Sequence, residues 1–376
     1  MPSTSNLNTR LVVAVAASAA VVLSAPFLGQ LRAYLRAAFP GQFVTIVGAA
    51  LGMALAGAFA LALARIHYAR AVRYGVIVAS TAAAVAYALA TQSGVPEVDV
   101  VERVHFIEYG AIALLFYLAF RPLGDAAVVV LPILAALTVG TLDEWLQWFI
   151  PNRVGEARDV FLNLAAIGCG LAFGVALDPP PAMAPTMQPR SRTAAAAVGA
   201  VFTLVFAGFV NAVHLGHLVR DGEVAFRTHF AWEELHRLSR ERAERWRRDP
   251  PLTLRRLSRE DQYLDEGLWH VRERNLRWAA ADYDAAFLEN QILERYFAPV
   301  LDTRSYATPE PTRWPAPQRA NAAERAKPRR EFVSQAEPYP IVTVWGERRW
   351  VFWSLVVTVV AVLLVGAWRP RWRGHA

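Results

Sequence analysis

Ionisable side chains recur at helical spacing within an otherwise apolar stretch of this chain. In "VERVHFIEYGAIALL", Glu102, His105 and Tyr109 are separated by three and four residues, which places them on one face of a helix. Glu108 lies beside them. An imidazole held by a carboxylate is suited to general acid–base chemistry. The same residues also suit an ion-pair and hydrogen-bond network that fixes neighbouring helices, and both interpretations stay open from the residues alone.

A second stretch, "TLDEWLQWFIPNR", brings two adjacent carboxylates to the end of a helix. Asp143 precedes Glu144, and Glu144 shares a helix face with Gln147. Pro151 marks the end of this helix. The guanidinium of Arg153, in the turn that follows, has the planar geometry that binds a phosphate or carboxylate through two hydrogen bonds. This stretch therefore predicts either an anion-binding site or a network with the neighbouring carboxylates.

A third stretch, "ARDVFLNLAAIGCGLAFG", combines polar residues with a stripe of small ones. Asp159 and Asn163 are four residues apart, and Ala166, Gly170 and Gly174 continue the same face along the helix. Small residues at this spacing let helix backbones approach closely in a membrane. We therefore predict that this helix packs tightly against a neighbour below its polar end.

The elements that must position these residues are membrane-spanning helices. The chain has 376 residues, of which 55% are hydrophobic, and its mean hydropathy is +0.25. The first of its apolar blocks resembles a signal peptide, but the further blocks favour a retained helix. Charge-free blocks of this kind predict an all-α polytopic membrane protein with about eight transmembrane helices. The blocks are residues 11–27, 43–64, 75–90, 104–120, 126–150, 160–177, 193–213 and 351–368.

The arginines predict the orientation of these helices, since Lys327 is the only lysine. With the N-terminus in the cytoplasm, the short inside segments carry ten arginines and the short outside loops carry five. This bias favours a multi-pass protein of the inner (plasma) membrane with both termini cytoplasmic and residues 214–349 extracytoplasmic. The polar ends of the fourth, fifth and sixth helices would then meet at the outer surface of the membrane.

The region between the last two membrane helices is predicted to be mainly helical. Between the last two helices, we expect helices near residues 232–248, 261–274 and 277–297, the last with an apolar stripe. Prolines and charged residues then predict an extended linker. The stripe comprises Trp278, Tyr283, Phe287, Ile292 and Tyr296.

The six predicted segments are an N-terminal transmembrane hairpin (1–74), a helical membrane domain (75–177), a loop with the seventh helix (178–213), a helical extracytoplasmic domain (214–302), a Pro-rich linker (303–349) and a C-terminal helix with a basic tail (350–376).

Composition also limits the ligands. The net charge of +7 comes from basic residues that flank membrane helices, so we expect no nucleic-acid partner. Cys169 is the only cysteine and cannot form an intramolecular disulfide. His214 and His217 have the spacing of a helical metal chelate, but neither a cysteine nor a well-spaced carboxylate completes a known pattern. We predict neither a metal nor a cofactor.

The three polar stretches together resemble the VanZ-like family of membrane proteins. The similarity runs over residues 75–177, with "HFIEYGAIALL" followed by "DEWLQWFIPNRVGEARDVFLNLAAIGCG". Ala166 stands where the family tends to have glycine. The resemblance implies a helical membrane domain in the cell envelope and a relation to glycopeptide resistance, particularly to teicoplanin. The residues that carry it are His105, Phe106, Tyr109, Glu144, Gln147, Pro151, Arg153, Asp159 and Asn163.

Three functional interpretations follow. The first is a protein that binds an envelope, lipid-linked or glycopeptide ligand at the outer membrane surface, with membrane lipids as its other partners. The second is a membrane-embedded hydrolase or transferase with His105 and Glu144 as acid–base groups. It ranks lower because no activated nucleophile or metal signature accompanies them, so no catalytic residue is assigned. The third is a scaffold that presents the helical extracytoplasmic domain. Transport is disfavoured because the inner halves of the fourth to sixth helices are apolar.

Overall fold

The protein divides into two compact units in the computed structural model, which describes residues 4–150, 153, 155–181, 183–253, 258–327, 332–336 and 348–368. We call the first the membrane unit. It comprises Met1–Gln147, Gly155–Phe209 and Ser354–Ala376. The second unit comprises Trp148–Val154 and Val210–Trp353.

Eight helices in the described part of the chain are long and apolar enough to cross a membrane, which confirms the predicted number. The fold is that of an all-α polytopic membrane protein. Most of these helices extend beyond their apolar blocks because polar flanks continue the helical hydrogen bonding, whereas the fifth begins and ends within its block. They are α1 (Thr4–Ala38), α2 (Phe43–Arg65), α3 (Arg70–Ala90), α4 (Pro96–Phe120), α5 (Ala127–Trp148), α6 (Ala157–Leu177), α7 (Pro189–Val213) and, at the end of the chain, α13 (Arg349–Trp368).

Two arginines close the C-terminal end of α6. The last carbonyl groups of a helix have no partner within it, and cations are favoured there by the helix dipole. Arg73 is buried, and its Nε and Nη2 donate to the carbonyl oxygens of Ala176 and Leu177, each at 2.6 Å. Arg121 donates from Nε and Nη2 to the carbonyl of Pro179, at 3.2 and 3.1 Å. These bonds fix the end of α6 opposite to its polar end.

α4 and α6 pack backbone against backbone. A Cβ atom added at Gly170 would lie 2.3 Å from the Cα of Gly110 and 2.5 Å from its carbonyl oxygen. A Cβ at Gly174 would lie 2.8 Å from a methyl group of Leu114. Ala166, on the same stripe, is fully buried. The stripe of small residues therefore allows the two helices to approach more closely than any larger side chain would permit.

The second unit is mainly helical, as expected, and also contains a small sheet. β1 and β2 form an antiparallel hairpin, and β3 pairs in parallel with β2. Buried aromatic side chains such as Phe226 and Tyr263 fill its core. Its elements are β1 (His217–Asp221), β2 (Val224–Thr228), α8 (Trp232–Arg245), α9 (Arg259–Ala279), α10 (Tyr283–Tyr296), α11 (Ala298–Asp302), α12 (Ala316–Arg325) and β3 (Phe332–Val333).

Two predictions for this unit were wrong in detail. The expected single helix over residues 277–297 is divided, because Ala281 has a φ of 59° and the side chain of Asp282 accepts a hydrogen bond from the backbone N–H of Ala285, capping α10. The expected linker over 303–349 contains α12 and β3. Trp314 and Ala322 are buried against Ala286, so the apolar residues within this Pro-rich segment provide enough burial to fold it.

Candidate functional site

Four buried side chains of α4 and α5 form one hydrogen-bonded network. The hydroxyl of Tyr109 donates to Oδ2 of Asp143 at 2.8 Å. Nε2 of Gln147 donates to the same oxygen at 2.9 Å and to Oε1 of Glu144 at 3.0 Å. Tyr109 and Glu144 are 0% exposed. Buried polar groups are stable only when hydrogen-bonded, and here the two adjacent carboxylates share one amide donor.

A second pair joins α4 to α6 beside this network. Nδ1 of His105 lies 3.0 Å from Oδ1 of Asn163, and the imidazole stacks on the ring of Tyr109 with centroids 5.7 Å apart. Gly140 of α5 marks the junction. A Cβ atom there would lie 3.2 Å from the Tyr109 ring and 3.0 Å from Nδ2 of Asn163. We call these six residues the polar cluster: His105, Tyr109, Asp143, Glu144, Gln147 and Asn163.

The side-chain amide of Asn163 is only half satisfied. Asn163 is fully buried, and its Nδ2 has no hydrogen-bond partner among the residues that the structure describes. If the amide oxygen and nitrogen are exchanged, one amide atom still has no partner, since only one of the two atoms lies within hydrogen-bond distance of His105. A buried polar atom without a partner costs roughly 1–3 kcal/mol. Such a cost is characteristic of a position where a ligand or a water molecule completes the bonding.

A charged rim lies beside the cluster on the same unit. Nη2 of Arg158 lies 3.4 Å from both carboxylate oxygens of Glu102 and donates to the carbonyl of Thr91 at 3.0 Å. The side chain of Arg158 is 52% exposed, whereas that of Glu102 is 21% exposed. The backbone N–H of Glu156 points to Oε2 of Glu144 at 3.4 Å. The first turn of α6 therefore contributes to the rim, and Glu156, just before α6, contributes to the buried network.

Arg158 is the rim residue that the sequence did not single out. It was counted only among the five arginines of the short outside loops. The sequence did contain a signal for a role of Arg158. It lies one residue before Asp159, in the first turn of the helix that carries the third polar stretch. Because i,i+1 residues point in different directions on a helix, Arg158 reaches α4 while Asp159 lies on another side.

Glu108, Asp159 and Arg153 are the remaining predicted residues that the structure describes. Glu108 of α4 and Asp159 in the first turn of α6 are half-buried. An acidic residue in this first turn is favoured by the helix dipole. Arg153 is half-buried and belongs to the second unit. Pro151, which marked the end of the fifth helix, lies outside the described residues.

The side chains of the polar cluster can take part in hydrogen bonding, ion pairing and proton exchange. Within the described part of the chain, no group of three or more His, Cys, Asp or Glu side chains is arranged to hold a metal ion. Of the two proposed acid–base groups, His105 bonds to Asn163 and Glu144 bonds to Gln147. The six side chains supply amide, imidazole, carboxylate and phenol groups.

The second unit contains two buried histidine–glutamate pairs that the sequence did not indicate. Nδ1 of His229 lies 2.7 Å from Glu266, and Nδ1 of His270 lies 2.7 Å from Glu289. The hydroxyl of Ser334 lies 3.4 Å from the same Nδ1 of His270. A serine triad needs its acid and its nucleophile on opposite ring nitrogens, so this group is not a catalytic triad.

Comparison with known proteins found no matching family model, no matching curated protein and no matching solved structure. The polar cluster, its rim and the eight spanning helices are therefore the features from which a function must be argued. Polar groups at membrane depth are expensive and commonly functional. Their convergence from three helices marks the polar cluster as the leading site.

Proposed function

We propose that this chain is a VanZ-like integral membrane protein of the cell envelope that binds an envelope or lipid-linked ligand at the polar cluster, with a role in resistance to teicoplanin-type glycopeptides. The observation that carries the proposal is the side-chain amide of Asn163 in α6, which is fully buried and only half hydrogen-bonded. A hydrogen-bonding group on the ligand would complete this amide. The sequence resemblance over residues 75–177 supplies the cellular context of the proposal.

The rim supports an anionic ligand. Arg158 is half-exposed, and its contacts with Glu102 are long, at 3.4 Å. A guanidinium binds phosphate through two hydrogen bonds in a plane, which is stronger than these contacts. A phosphate-bearing lipid could therefore exchange places with Glu102. In this proposal Arg158 binds the charged group and Asn163 binds a neutral donor or acceptor of the same ligand.

The ligand test uses two conservative variants in a strain that lacks this gene. Asn163→Leu removes the half-satisfied amide, and Arg158→Gln removes the rim charge. We expect both proteins to accumulate normally in the membrane and to fail to restore glycopeptide resistance. Arg103→Gln, an arginine substitution next to Glu102, is the control and should restore it. Full complementation by both test variants at normal expression would exclude the binding proposal.

A scaffold role is the second candidate, favoured by the complete burial of Tyr109 and Glu144. In that case the cluster only fixes α4, α5 and α6. Asn163→Leu should then change stability little, because it removes the unmet Nδ2 but also the oxygen that bonds to His105. Glu144→Gln should lower protein abundance and any phenotype together. The two candidates are separated by whether phenotype is lost with or without loss of protein.

We further propose that the protein lies in the inner (plasma) membrane with both termini cytoplasmic and residues 214–349 extracytoplasmic. The ten-to-five arginine bias supports this orientation. Cys169 is the only cysteine, so a Cys169→Ala background permits labelling at one introduced site. Glu310→Cys is suitable because the Glu310 side chain is 75% exposed. An impermeant thiol reagent should label it in intact cells, and labelling only after lysis would reverse the assignment.

A further inference from the structure

An apolar groove of about 430 Å³ lies between α5, α7 and α13, within the membrane unit. At its centre Gly199 of α7 lies near Leu134 of α5 and Leu363 of α13. A Cβ added at Gly199 would be 3.7 Å and 3.5 Å from their methyl groups. Among the described residues that line the groove, Arg192 is the only charged one. The volume is within the roughly 300–1,000 Å³ typical of ligand sites.

The groove has the length of one lipid leaflet. Its lining along α7 runs from Arg192, in the first turn, to Thr203. At 1.5 Å per residue this distance along the helix is about 16 Å. The hydrocarbon core of a bilayer is about 30 Å thick, so the groove covers about half of it. A single acyl chain anchored at one membrane surface would extend over the same depth.

Hydrogen bonds fix the starts of α5 and α7 at the charged end of the groove. The carboxylate of Asp125 accepts hydrogen bonds from the backbone N–H of Ala127 and of Gln188, both at 2.9 Å. It thereby ties the start of α5 to the start of α7. Burial raises the pKa of Asp125, but the hydrogen bonds from Gln188, Ser191 and Ala127 outweigh burial and lower it overall. The residue that fixes the mouth of the groove therefore stays ionised at neutral pH.

Arg192 itself is available to a ligand at this end. Its side chain is exposed, and its Nη2 lies 3.5 Å from the carbonyl of Met187, the outer limit of a hydrogen bond. An apolar groove with a single cation at one end matches an amphiphile with an apolar tail and an anionic head. Acyl chains are also the medium that surrounds these helices. Among possible occupants, the charge pattern therefore selects a lipid over a second copy of the chain.

We propose that this groove is a binding site for an anionic phospholipid, with one acyl chain along α7 and the phosphate on the guanidinium of Arg192. The starts of α5 and α7 lie at the same end, so the lipid belongs to the leaflet at which these two helices begin. Under the topology proposed above this is the cytoplasmic leaflet. The site is separate from the polar cluster, and its existence does not depend on the proposed function.

Native mass spectrometry of the full-length protein in detergent tests this site. Phosphatidylglycerol and phosphatidylcholine with identical acyl chains are added separately. We expect wild type to retain phosphatidylglycerol preferentially. Arg192→Gln should weaken phosphatidylglycerol binding by roughly tenfold or more, the effect of one charge-assisted hydrogen bond, and remove the preference. Arg190→Gln, in the same turn of α7, is the matched control and should keep it.

Gly366→Phe tests the groove separately from the charge. A Cβ atom at Gly366 would have no neighbour within 4 Å, so a larger side chain can enter the groove without a backbone clash. This variant should lose both lipids while its thermal unfolding in detergent stays unchanged. Unaltered lipid preference in Arg192→Gln, or unaltered lipid retention in Gly366→Phe, would overturn the proposal. A lipid-free dimer of the wild type that Gly366→Phe dissociates would assign the groove to a second copy and overturn it as well.

Discussion

The helix pairs α4/α6 and α9/α10 bury their contact surfaces in opposite ways. α4 and α6 meet at Gly110 and Gly170, where the two backbones touch. α9 and α10 contribute large aromatic rings, and the hydroxyl of Tyr263 donates to the carbonyl of Tyr296 at 2.6 Å. The α4/α6 pair is therefore packed through glycines, and the α9/α10 pair is packed through large aromatic rings. Neither kind of residue would give close packing in the other pair.

The difference follows from the surroundings of each pair. Lipid tails are as apolar as leucine, so burial of apolar surface gives helices in a membrane little reason to associate, and close backbone contact must supply the attraction. In water, burying a large aromatic side chain is itself strongly favourable. Substitutions should therefore be most damaging where they shrink side chains in the second unit and where they enlarge them in the membrane unit.

The largest expected effect is the loss of a core side chain from the second unit. Leu264 of α9 is 1% exposed, whereas Leu276 of the same helix is 55% exposed. Leu264→Ala should lower the free energy of unfolding by about 2–5 kcal/mol, because it leaves a cavity in the core. Leu276→Ala should change it by no more than about 0.5 kcal/mol. Urea unfolding of the full-length protein in detergent measures both, and equal effects would contradict the core assignment.

Enlarging a side chain in the membrane unit tests the other half of the comparison. Gly170→Ala places a Cβ atom 2.3 Å from the Cα of Gly110, so α4 and α6 must separate. We expect a loss of about 1–3 kcal/mol, typical of overpacking. Gly168→Ala, in the same helix, adds a Cβ with nothing within 4 Å and should be neutral or stabilising. Thermal unfolding in detergent compares them. If Gly170→Ala proves as stable as Gly168→Ala, the backbone contact is disproved.

Removal of one hydrogen bond from the polar cluster should have a similar or smaller effect. Tyr109→Phe deletes the hydroxyl that donates to Asp143 and leaves the shape of the ring unchanged. Because the carboxylate loses a buried donor, we expect a loss of about 1–3 kcal/mol. Tyr34→Phe removes a hydroxyl from a side chain that is 66% exposed and should have no measurable effect. Thermal unfolding of both variants decides whether the bond stabilises the unit.

The smallest expected effect concerns the acid stability of the second unit. The hydrogen bond from the Tyr296 hydroxyl, 2.8 Å long, lowers the pKa of Asp221, with Arg295 adding to the effect and burial opposing it. Burial raises the pKa of Tyr296 to about 12, so its hydroxyl stays a donor. A lowered folded-state pKa means that this stability is complete above the ordinary value of 3.8 and is lost as the pH falls through the lowered pKa.

Asp221→Asn should remove this part of the pH dependence. Its effect at neutral pH should be below about 1 kcal/mol, because the side chain is partly exposed and solvent screens the ion pair. Asp249→Asn, an exposed aspartate of the same unit, is the control and should leave the acid transition in place. Circular dichroism between pH 2 and pH 6 follows the transition, because this window includes the ordinary aspartate pKa of 3.8. If the acid transition is unchanged in Asp221→Asn, the transition is due to the titration of another group.

The sequence predicts the membrane helices well because a charge-free apolar run has few alternatives in a bilayer. It predicts the second unit less well. The hairpin β1–β2 was missed although Gly222, with a φ of 62°, follows Asp221 between alternating apolar residues, the usual signal for a tight turn. The linker was misassigned because composition alone does not reveal that Trp314 and Ala322 find a buried surface.

The six residues of the polar cluster are among the ten candidates that the sequence suggested, but the sequence did not predict which of them pair. Helical spacing placed Tyr109, Glu144 and Asn163 on their respective helix faces. The bond from Tyr109 to Asp143, rather than to Glu144, depends on the rotation of α5 about its axis, which packing decides. Arg158 was missed for a related reason, since its reach to Glu102 depends on the distance between α4 and α6. That distance is set by the glycine contact further along the same helices.

Under the proposed orientation, the two arginines at the end of α6 serve both membrane insertion and folding. Arg73 and Arg121 are both among the arginines that set the predicted orientation of the chain, and both are bonded to carbonyl groups at the α6 terminus. During biogenesis a cation at these positions would hold the loop on its side of the membrane before α6 has packed. After folding, the same cation completes the helix. Under the proposed orientation, replacing either arginine would therefore affect both membrane insertion and the stability of the folded protein.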